Sequence, residues 1–279
     1  MIEPDDVTGH YGGVGLRERI EAALGEAGLD LTALRPRDLA AVDEFHSRGR
    51  SATKELAELA APRASDRVLD VGSGIGGPAR YLAETFGCPV IGIDLTPAFC
   101  AVATWLSELT GYADRVTFRN GSGTELPFPD ASFDLVWTIQ MQMNVADKGR
   151  LYGEIHRVLA PGGRYVLQEL CAGPAGGCHL PVPWASRPEQ SHLVTPEELR
   201  AAVEASGLTA RVWRDITPTA LAWYEGERHR APAPTPLGIH LVMGERAPEK
   251  RRNAERSFRE ERLRQVVGAF DKPGSGRAG

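Results

Sequence analysis

From residue 67 onward, short runs of valine, isoleucine and leucine alternate with segments whose apolar residues return every three or four positions. Nearly uninterrupted apolar runs mark strands buried on both faces, and the segments between them read as crossover helices. The runs predict strands over 67–71, 89–93, 116–120, 133–139, 164–170, 209–216 and 263–270, in an α/β chain with a doubly wound sheet. The helices carry their own punctuation. Thr96 is placed to cap, and Pro97 to begin, a helix with Phe99, Val102, Ala103 and Leu106 on one face, closed by Gly111. Thr195, Pro196 and Glu198 give a capping box ahead of Leu199, Ala202 and Val203, closed by Gly207.

Residues 1–60 read as an N-terminal helical cap, with apolar positions at Leu16, Ile20, Ala23 and Leu24 and a second pattern through Leu56 and Leu59. The main domain spans 61–271. It includes a helical insertion at 217–260, which runs from the turn-rich APAPTPLG into EKRRNAERSFREERLR, a charge run that reads as a solvated helix face. The tail, 272–279, has the composition of a disordered segment.

A chain of 279 residues is long enough for one sizeable core. Its net charge of −5 offers no broad field for nucleic acid or anionic lipid, so small molecules are the expected partners. The start, MIEPDDVTGHYGG, has neither the basic residues nor the apolar run of a secretory signal, and no apolar run is long enough to insert in a membrane; a cytoplasmic location is expected. Cys88, Cys100, Cys171 and Cys178 are widely spread, and Cys171, Cys178 and His179 lack close metal-ligand spacing, so reduced thiols and no metal site are expected. Nothing in the patterning sets an oligomeric state.

The chemistry concentrates in RVLDVGSGIGGPARYL, residues 67–82. Gly72, Gly74 and Gly77 fit the GxGxxG dinucleotide fingerprint, yet Asp70 stands two residues before the first glycine. A pyrophosphate wants backbone N–H groups and no neighbouring carboxylate. A cofactor carrying an ammonium, as S-adenosylmethionine does, is compatible with that charge. Asp94, at the end of the second predicted strand, is placed to accept hydrogen bonds from ribose hydroxyls, a role common to both cofactors.

With VLDVGSGIGG, GID and LPFPDASFDLVW, the sequence resembles the class I S-adenosylmethionine-dependent methyltransferases over about residues 40–215. EFHSRGRSATKELAELA, GSGIGGPARYLA, VWTIQMQMNVADKGRLYGEIHRVLAPGGRYVLQEL and HLPVPWA place it nearest the branch of ubiquinone/menaquinone-type and sarcosine/dimethylglycine-type small-molecule enzymes. The resemblance implies a seven-stranded Rossmann-like sheet with an antiparallel last strand, for which 263–270 is the candidate. It implies Asp70, Gly72, Ser73 and Gly74 around the methionine moiety, Asp94 and Leu95 at the ribose and adenine, Ser122 and Gly123 at the adenine edge, and Gln140 near the methionine portion. Many relatives have Asp where this chain has Ser122, so a backbone group is the alternative adenine contact.

Methyl transfer is an in-line displacement at a carbon activated by the sulfonium, so much of the catalysis comes from alignment, and a base is needed only where the acceptor must lose a proton. Glu169, in the apolar run ending at the sheet's carboxyl edge, is the first candidate for base or for partner of a developing cation; the alternative is a structural pairing. His46 is the second, because the resemblance places its segment over the cofactor pocket; a structural histidine is the alternative. Tyr11, in a Gly-rich segment able to close as a lid, and Trp184, between Pro183 and Ala185, are candidate aromatic walls or core residues. Gln142 and Asn144 offer amides at the same edge, or bonds to loop backbone. The sequence thus points to S-adenosylmethionine-dependent methyl transfer to a small molecule, with N-methylation ahead of C- or O-methylation. Two other classes stay open: an NAD-dependent oxidoreductase, disfavoured by Asp70 and by the lack of a Tyr-x-x-x-Lys pair, and a protein of this fold whose pocket performs a non-methylating cyclisation or only holds a ligand.

Overall fold

The computed structural model describes residues 15–229 and 235–274. Its strands are β1 (Val68–Val71), β2 (Val90–Asp94), β3 (Val116–Asn120), β4 (Phe133–Ile139), β5 (Leu159–Ala172), β6 (Thr209–Asp215) and β7 (Leu263–Asp271). The helices in chain order are α1 (Leu16–Glu26), α2 (Ala40–Asp43), α3 (Arg50–Ala60), α4 (Gly77–Phe86), α5 (Pro97–Leu109), α6 (Lys148–Val158), α7 (Pro196–Ala205), α8 (Thr217–His229), α9 (His240–Met243) and α10 (Ala247–Arg259).

The strands form one sheet in the order β3-β2-β1-β4-β5-β7-β6, with β7 antiparallel to both β5 and β6. This is the doubly wound, Rossmann-like arrangement that the resemblance implied, and it sets the carboxyl ends of β1, β2 and β4 side by side. One face of the sheet packs Leu69, Val71 and Leu167 against α6 and α7; the other packs Val68, Trp137 and Val166 against α3 and α4. Each expected strand is present. The fifth begins earlier, because Leu159 already pairs with Phe133 before a register shift leads to the Leu135–Arg164 pair.

The capping box of α7 forms as its residues require, with the Thr195 hydroxyl accepting from the Glu198 N–H at 3.2 Å and the Glu198 carboxylate accepting from the Thr195 N–H at 2.8 Å. Thr96 precedes α5 in extended conformation, but its side chain makes no capping hydrogen bond; the helix starts on Pro97 instead. The charged insertion helix α10 is not simply a solvated face. Lys250, Ala254, Ser257 and Phe258 are buried, and Phe258 joins Trp184, Leu170 and Ala220 in one cluster.

The N-terminal helices close over the carboxyl edge. Leu16, Ile20 and Leu24 of α1 pack with Phe99, Trp105 and Leu106 of α5 and with Leu237 and Val242 of the insertion, so cap and insertion share a core. A second tie is polar. Arg80 on α4 is fully buried; it donates to Asp43 Oδ2 on α2 at 3.0 Å, to the Ile75 carbonyl at 2.7 Å and to the Ala103 carbonyl at 3.1 Å. Gly77 lets the two helices meet, since a Cβ there would lie 2.2 Å from the Asp43 carbonyl oxygen.

Among the described residues no helix is long and apolar enough to cross a membrane. Removing one partner of a buried pair strands the other charge, so Arg80→Met should lower the unfolding free energy in urea by about 3–5 kcal/mol. The double variant with Asp43→Asn should lose clearly less than the sum of the two single variants; losses that simply add would show that the pair is not coupled.

Candidate active site

The loop after β1 is pinned to β2 before it reaches the cavity: Gly72 N–H and Ser73 N–H both donate to the Ile93 carbonyl, at 2.8 and 3.1 Å. Gly72 has φ +77°, and a Cβ there would meet Met141 Cβ at 2.6 Å, so the tight approach of the β1 and β4 loops requires glycine. Gly74, at φ +54°, faces open space, and its N–H donates to Asp94 Oδ2 at 2.9 Å. The other oxygen of Asp94 accepts from Thr96 N–H, also at 2.9 Å. Burial pushes Asp94 upward, and these two donors resist it.

Asp70 is in a harsher position. Its carboxyl is buried at the end of β1, Oδ2 has no hydrogen-bond partner, and burial, followed by the charges of Asp94 and Glu44, pushes it up to about 8. Ser73 Oγ, on the same loop, is likewise buried without a partner. Both residues line a deep cavity together with Gly72, Gly74, Asp94, Leu95, Ser122, Gly123 and Gln140, so the structure brings all the expected cofactor residues to one wall. Ser122 Oγ is engaged locally, 2.8 Å from Thr124 Oγ1 and accepting from Thr124 N–H at 3.2 Å.

Gln140 sits on this wall with φ +48°, a left-handed conformation unusual for a residue with a side chain. Its amide does not reach toward a ligand as expected. Oε1 accepts from Ser47 N–H at 3.1 Å and Nε2 donates to Ser47 Oγ at 2.6 Å, while Ser47 Oγ donates to Gln265 at 3.1 Å. The cap is thereby clamped to the ends of β4 and β7.

His46 also lines the cavity, but its ring nitrogens are spoken for. Nε2 lies 2.9 Å from Glu44 Oε2 and Nδ1 lies 3.2 Å from the Ser47 carbonyl. Burial pushes Glu44 up, yet the His46 hydrogen bond and charge, with Arg50 and Thr53, hold it below its ordinary range. His46 therefore belongs to a cap network that fixes the segment over the cavity.

Glu169 is not on the cavity wall; its neighbour Leu170 is. Side chains alternate along a strand, and β5 turns Glu169 toward α6. There its Oε2 accepts from Met141 N–H at 3.1 Å and Gln142 N–H at 3.3 Å. Burial pushes it up to about 7 against the Thr138 hydroxyl, these N–H groups and Lys148. Lys148, which the sequence reading missed, donates to the carbonyls of Gln142, Val145 and His192, and burial pushes it down to about 8. Gln142 Nε2 donates to the Leu170 carbonyl at 2.6 Å and Asn144 Nδ2 to the Trp184 carbonyl at 3.1 Å. Glu169, Lys148 and both amides thus hold the 140–145 loop in shape.

The far half of the cavity is apolar and aromatic. Trp184 lines it, with its indole N–H donating to Ser191 Oγ at 3.0 Å, and the insertion adds Trp223, Tyr224, Met243 and Arg251. The insertion residues were not legible as a site, although the adjacent Trp223 and Tyr224 were a usable signal. Tyr11 lies outside the described residues.

Residues 69–167 match the family model of a methyltransferase domain. Over 133 residues the chain is 37% identical to a probable chloroplastic tocopherol O-methyltransferase of Oryza sativa subsp. japonica, covering 46% of this chain and 37% of that protein. Over 161 residues it is 30% identical to a dimethylglycine N-methyltransferase of Parasynechococcus marenigrum, covering 58% of each. Its structure is similar to geranyl diphosphate C-methyltransferase from Streptomyces coelicolor A3(2), bound there to Mg2+, geranyl-S-thiolodiphosphate and S-adenosyl-L-homocysteine, with a TM-score of 0.72, 21% identity and 98% of each chain covered. The fold is the class I methyltransferase fold. More particularly, residues 69–167 match a methyltransferase domain, and the chain spans little more than half the length of these curated relatives at most.

The neutral acid is the form of Glu169 that the folded protein favours, because its pKa stands at about 7 against an ordinary 4.5. That contribution to stability is complete below the ordinary value and is lost as pH rises through about 7, amounting to ~3 kcal/mol. Glu169→Gln removes the titration, so the stability of the natural protein relative to this variant should fall by that order between pH 4.5 and 8 in urea unfolding. A difference that stays flat with pH would mean that the carboxylate is fully compensated in the fold.

Proposed function

We propose that the protein transfers a methyl group from S-adenosylmethionine to a small-molecule acceptor, with a neutral amine nitrogen as the favoured nucleophile. The observation that carries the reading is the pair of buried, unpartnered groups on one cavity wall, Asp70 Oδ2 and Ser73 Oγ, with Asp94 beside them. A buried carboxyl with no donor fits an ammonium, and a hydroxyl fits a carboxylate, so the wall suits the amino-acid portion of the cofactor. Asp94 retains lone pairs for ribose hydroxyls. Three acids, Glu44, Asp70 and Asp94, act on this end of the cavity, which opposes a pyrophosphate and so a dinucleotide. When bound, S-adenosylmethionine supplies the sulfonium-activated methyl group.

The protein's residues contribute alignment and a polar or aromatic surround. Among the described residues lining the cavity no side chain is placed as a free base: His46 is held at both nitrogens, and burial pushes Tyr224 up to about 12, so its phenol stays neutral. Asp70 and Asp94 face the cofactor end. An acceptor that must lose a proton before attack finds no partner, whereas a neutral amine or an alkene needs none. Trp184, on the cavity wall, offers a ring face to the positive charge that such an acceptor acquires, which favours nitrogen. The cap, residues 1–60, serves as the lid in this reading, since Phe45, His46 and Ser47 form part of the cavity wall.

S-adenosylmethionine and S-adenosylhomocysteine should raise the melting temperature, and NAD should not. An ammonium pairs with the Asp70 carboxylate but not with the neutral acid; because the group titrates near 8, affinity should weaken about tenfold per unit as pH falls below that value. Asp70→Asn, and 5′-methylthioadenosine, which has no ammonium, should each abolish the slope in calorimetric titrations. Stabilisation by NAD alone, or an undiminished slope in Asp70→Asn, would overturn the assignment.

A further inference from the structure

Arginines crowd α10 and its ends, and several pair with acids one turn away: Arg246 donates to Glu249 at 2.7 Å, Arg256 to Glu260 at 2.7 Å, and Arg259 to Glu255. Arg251 differs. It lines the cavity, partly exposed, and among the described residues its guanidinium donates no recorded hydrogen bond to the protein. Its ion pair is with Glu227 on α8, at 3.6 Å, beyond hydrogen-bond reach, and Glu227 is not on the cavity wall. The guanidinium lies over the Trp223 ring, 6.0 Å from its centroid, which limits where the fork can point.

A second donor stands next to it. Tyr224 lines the same cavity, and the Arg251 charge acts on its phenol, lowering a pKa that burial raises. The phenol therefore keeps its proton and remains a hydrogen-bond donor at any physiological pH. Tyr224 and Arg251 thus bring a hydroxyl donor and a guanidinium fork to one place, at the end of the cavity built by the insertion, whereas the glycine-loop end is built from acids. Glu227 and Glu255 are the acids that face this pair, one against Arg251 and the other against the Tyr224 phenol. Neither is on the wall, so the cavity meets the donors first.

We propose that the acceptor carries an anionic group, a carboxylate or a phosphate, and that Arg251 and Tyr224 bind it at the insertion end of the cavity. This deepens the methyl-transfer reading and rests on it for the word acceptor. The anion would fill the vacant donor positions of a planar fork that matches carboxylate and phosphate geometry, with the phenol as a further donor. The apolar walls between the two ends, Leu170, Met143 and Trp184 among them, would hold the uncharged body of the molecule. The anionic end fixes which atom faces the cofactor, and with no free base among the described residues of the cavity that orientation is the main source of specificity.

The test uses the full-length protein saturated with S-adenosylhomocysteine and three probes of one shape: 3-phenylpropanoate, 3-phenylpropyl phosphate and the neutral 3-phenylpropan-1-ol. At least one anionic probe should bind about tenfold or more tightly than the alcohol in calorimetry, and which one does so separates carboxylate from phosphate. Arg251→Met should remove that preference while binding of the alcohol persists, and Tyr224→Phe should reduce it by about threefold to tenfold. Arg251→Lys, which keeps the charge but not the fork, should retain only part of it. Equal binding of all three probes, no binding of either anion, or a preference that survives Arg251→Met would overturn the proposal. Titration with S-adenosylhomocysteine alone is a separate arm: its failure would sink the methyl-transfer reading, while the anion preference of the protein alone would still report on Arg251.

Discussion

A carboxyl group buried near the end of β1, with no protein donor on one oxygen, is the constraint around which this molecule is arranged. Such a group is costly, and the usual remedy is a nearby arginine or lysine. Here the nearby cations are committed elsewhere. Arg80 is locked to Asp43, and Arg50 pairs with Glu44 and reaches Asp43. His46 also serves Glu44. The cap therefore neutralises its own acids and leaves Asp70 without a counterion, which keeps this end of the cavity fit for a cation from outside.

The glycine loop and the cap depend on the same arrangement from two directions. Gly72 admits Met141 and Gly77 admits the Asp43 backbone, so the loop is gripped by the β4 loop on one side and by the cap on the other. The Ser47–Gln140–Gln265 chain adds a polar tie across the cavity's edge. A residue with φ +48° at the end of β4 is strained, and it is braced by one hydrogen bond accepted from Ser47 N–H, one donated to Ser47 Oγ and one from its own N–H to the Gln168 carbonyl.

Most of the fold was legible because its signals are local. Valine-rich runs bounded by glycine and proline gave seven strands, and a capping box gave the start of α7 to the residue. The meeting of Gly74 with Asp94 at the cavity was legible for a related reason: a glycine loop and the acid at the end of the next strand come together wherever two parallel strands are adjacent. Glu169 was misplaced because β5 is buried on both faces. With no alternation of polar and apolar residues, the sequence shows that Glu169 is at the edge and not which face it takes; only the pairing of Gln168 with Ile139 and of Glu169 with Val266 settles that. Arg251 was missed because its position depends on α8 and α10 folding back over the cavity. In a helix rich in arginine no local pattern distinguishes the one that turns inward.

The buried polar groups under the 140–145 loop make sense together once no free base is found among the described residues that line the cavity. Glu169 is pushed up to about 7 and Lys148 down to about 8, so neither is comfortable, and each spends its hydrogen bonds on loop backbone. Apolar residues would fill the same space with less desolvation cost, but they could not fix the carbonyls and N–H groups of Met141, Gln142 and Val145. A site that works by deprotonation tolerates some looseness in its walls; one that works by alignment depends on them, since small misplacements of the acceptor translate directly into lost rate. The stiff polar support beneath the loop is what a site that works by alignment requires, and in the methyl-transfer reading it puts the contribution of these residues in geometry rather than in proton transfer.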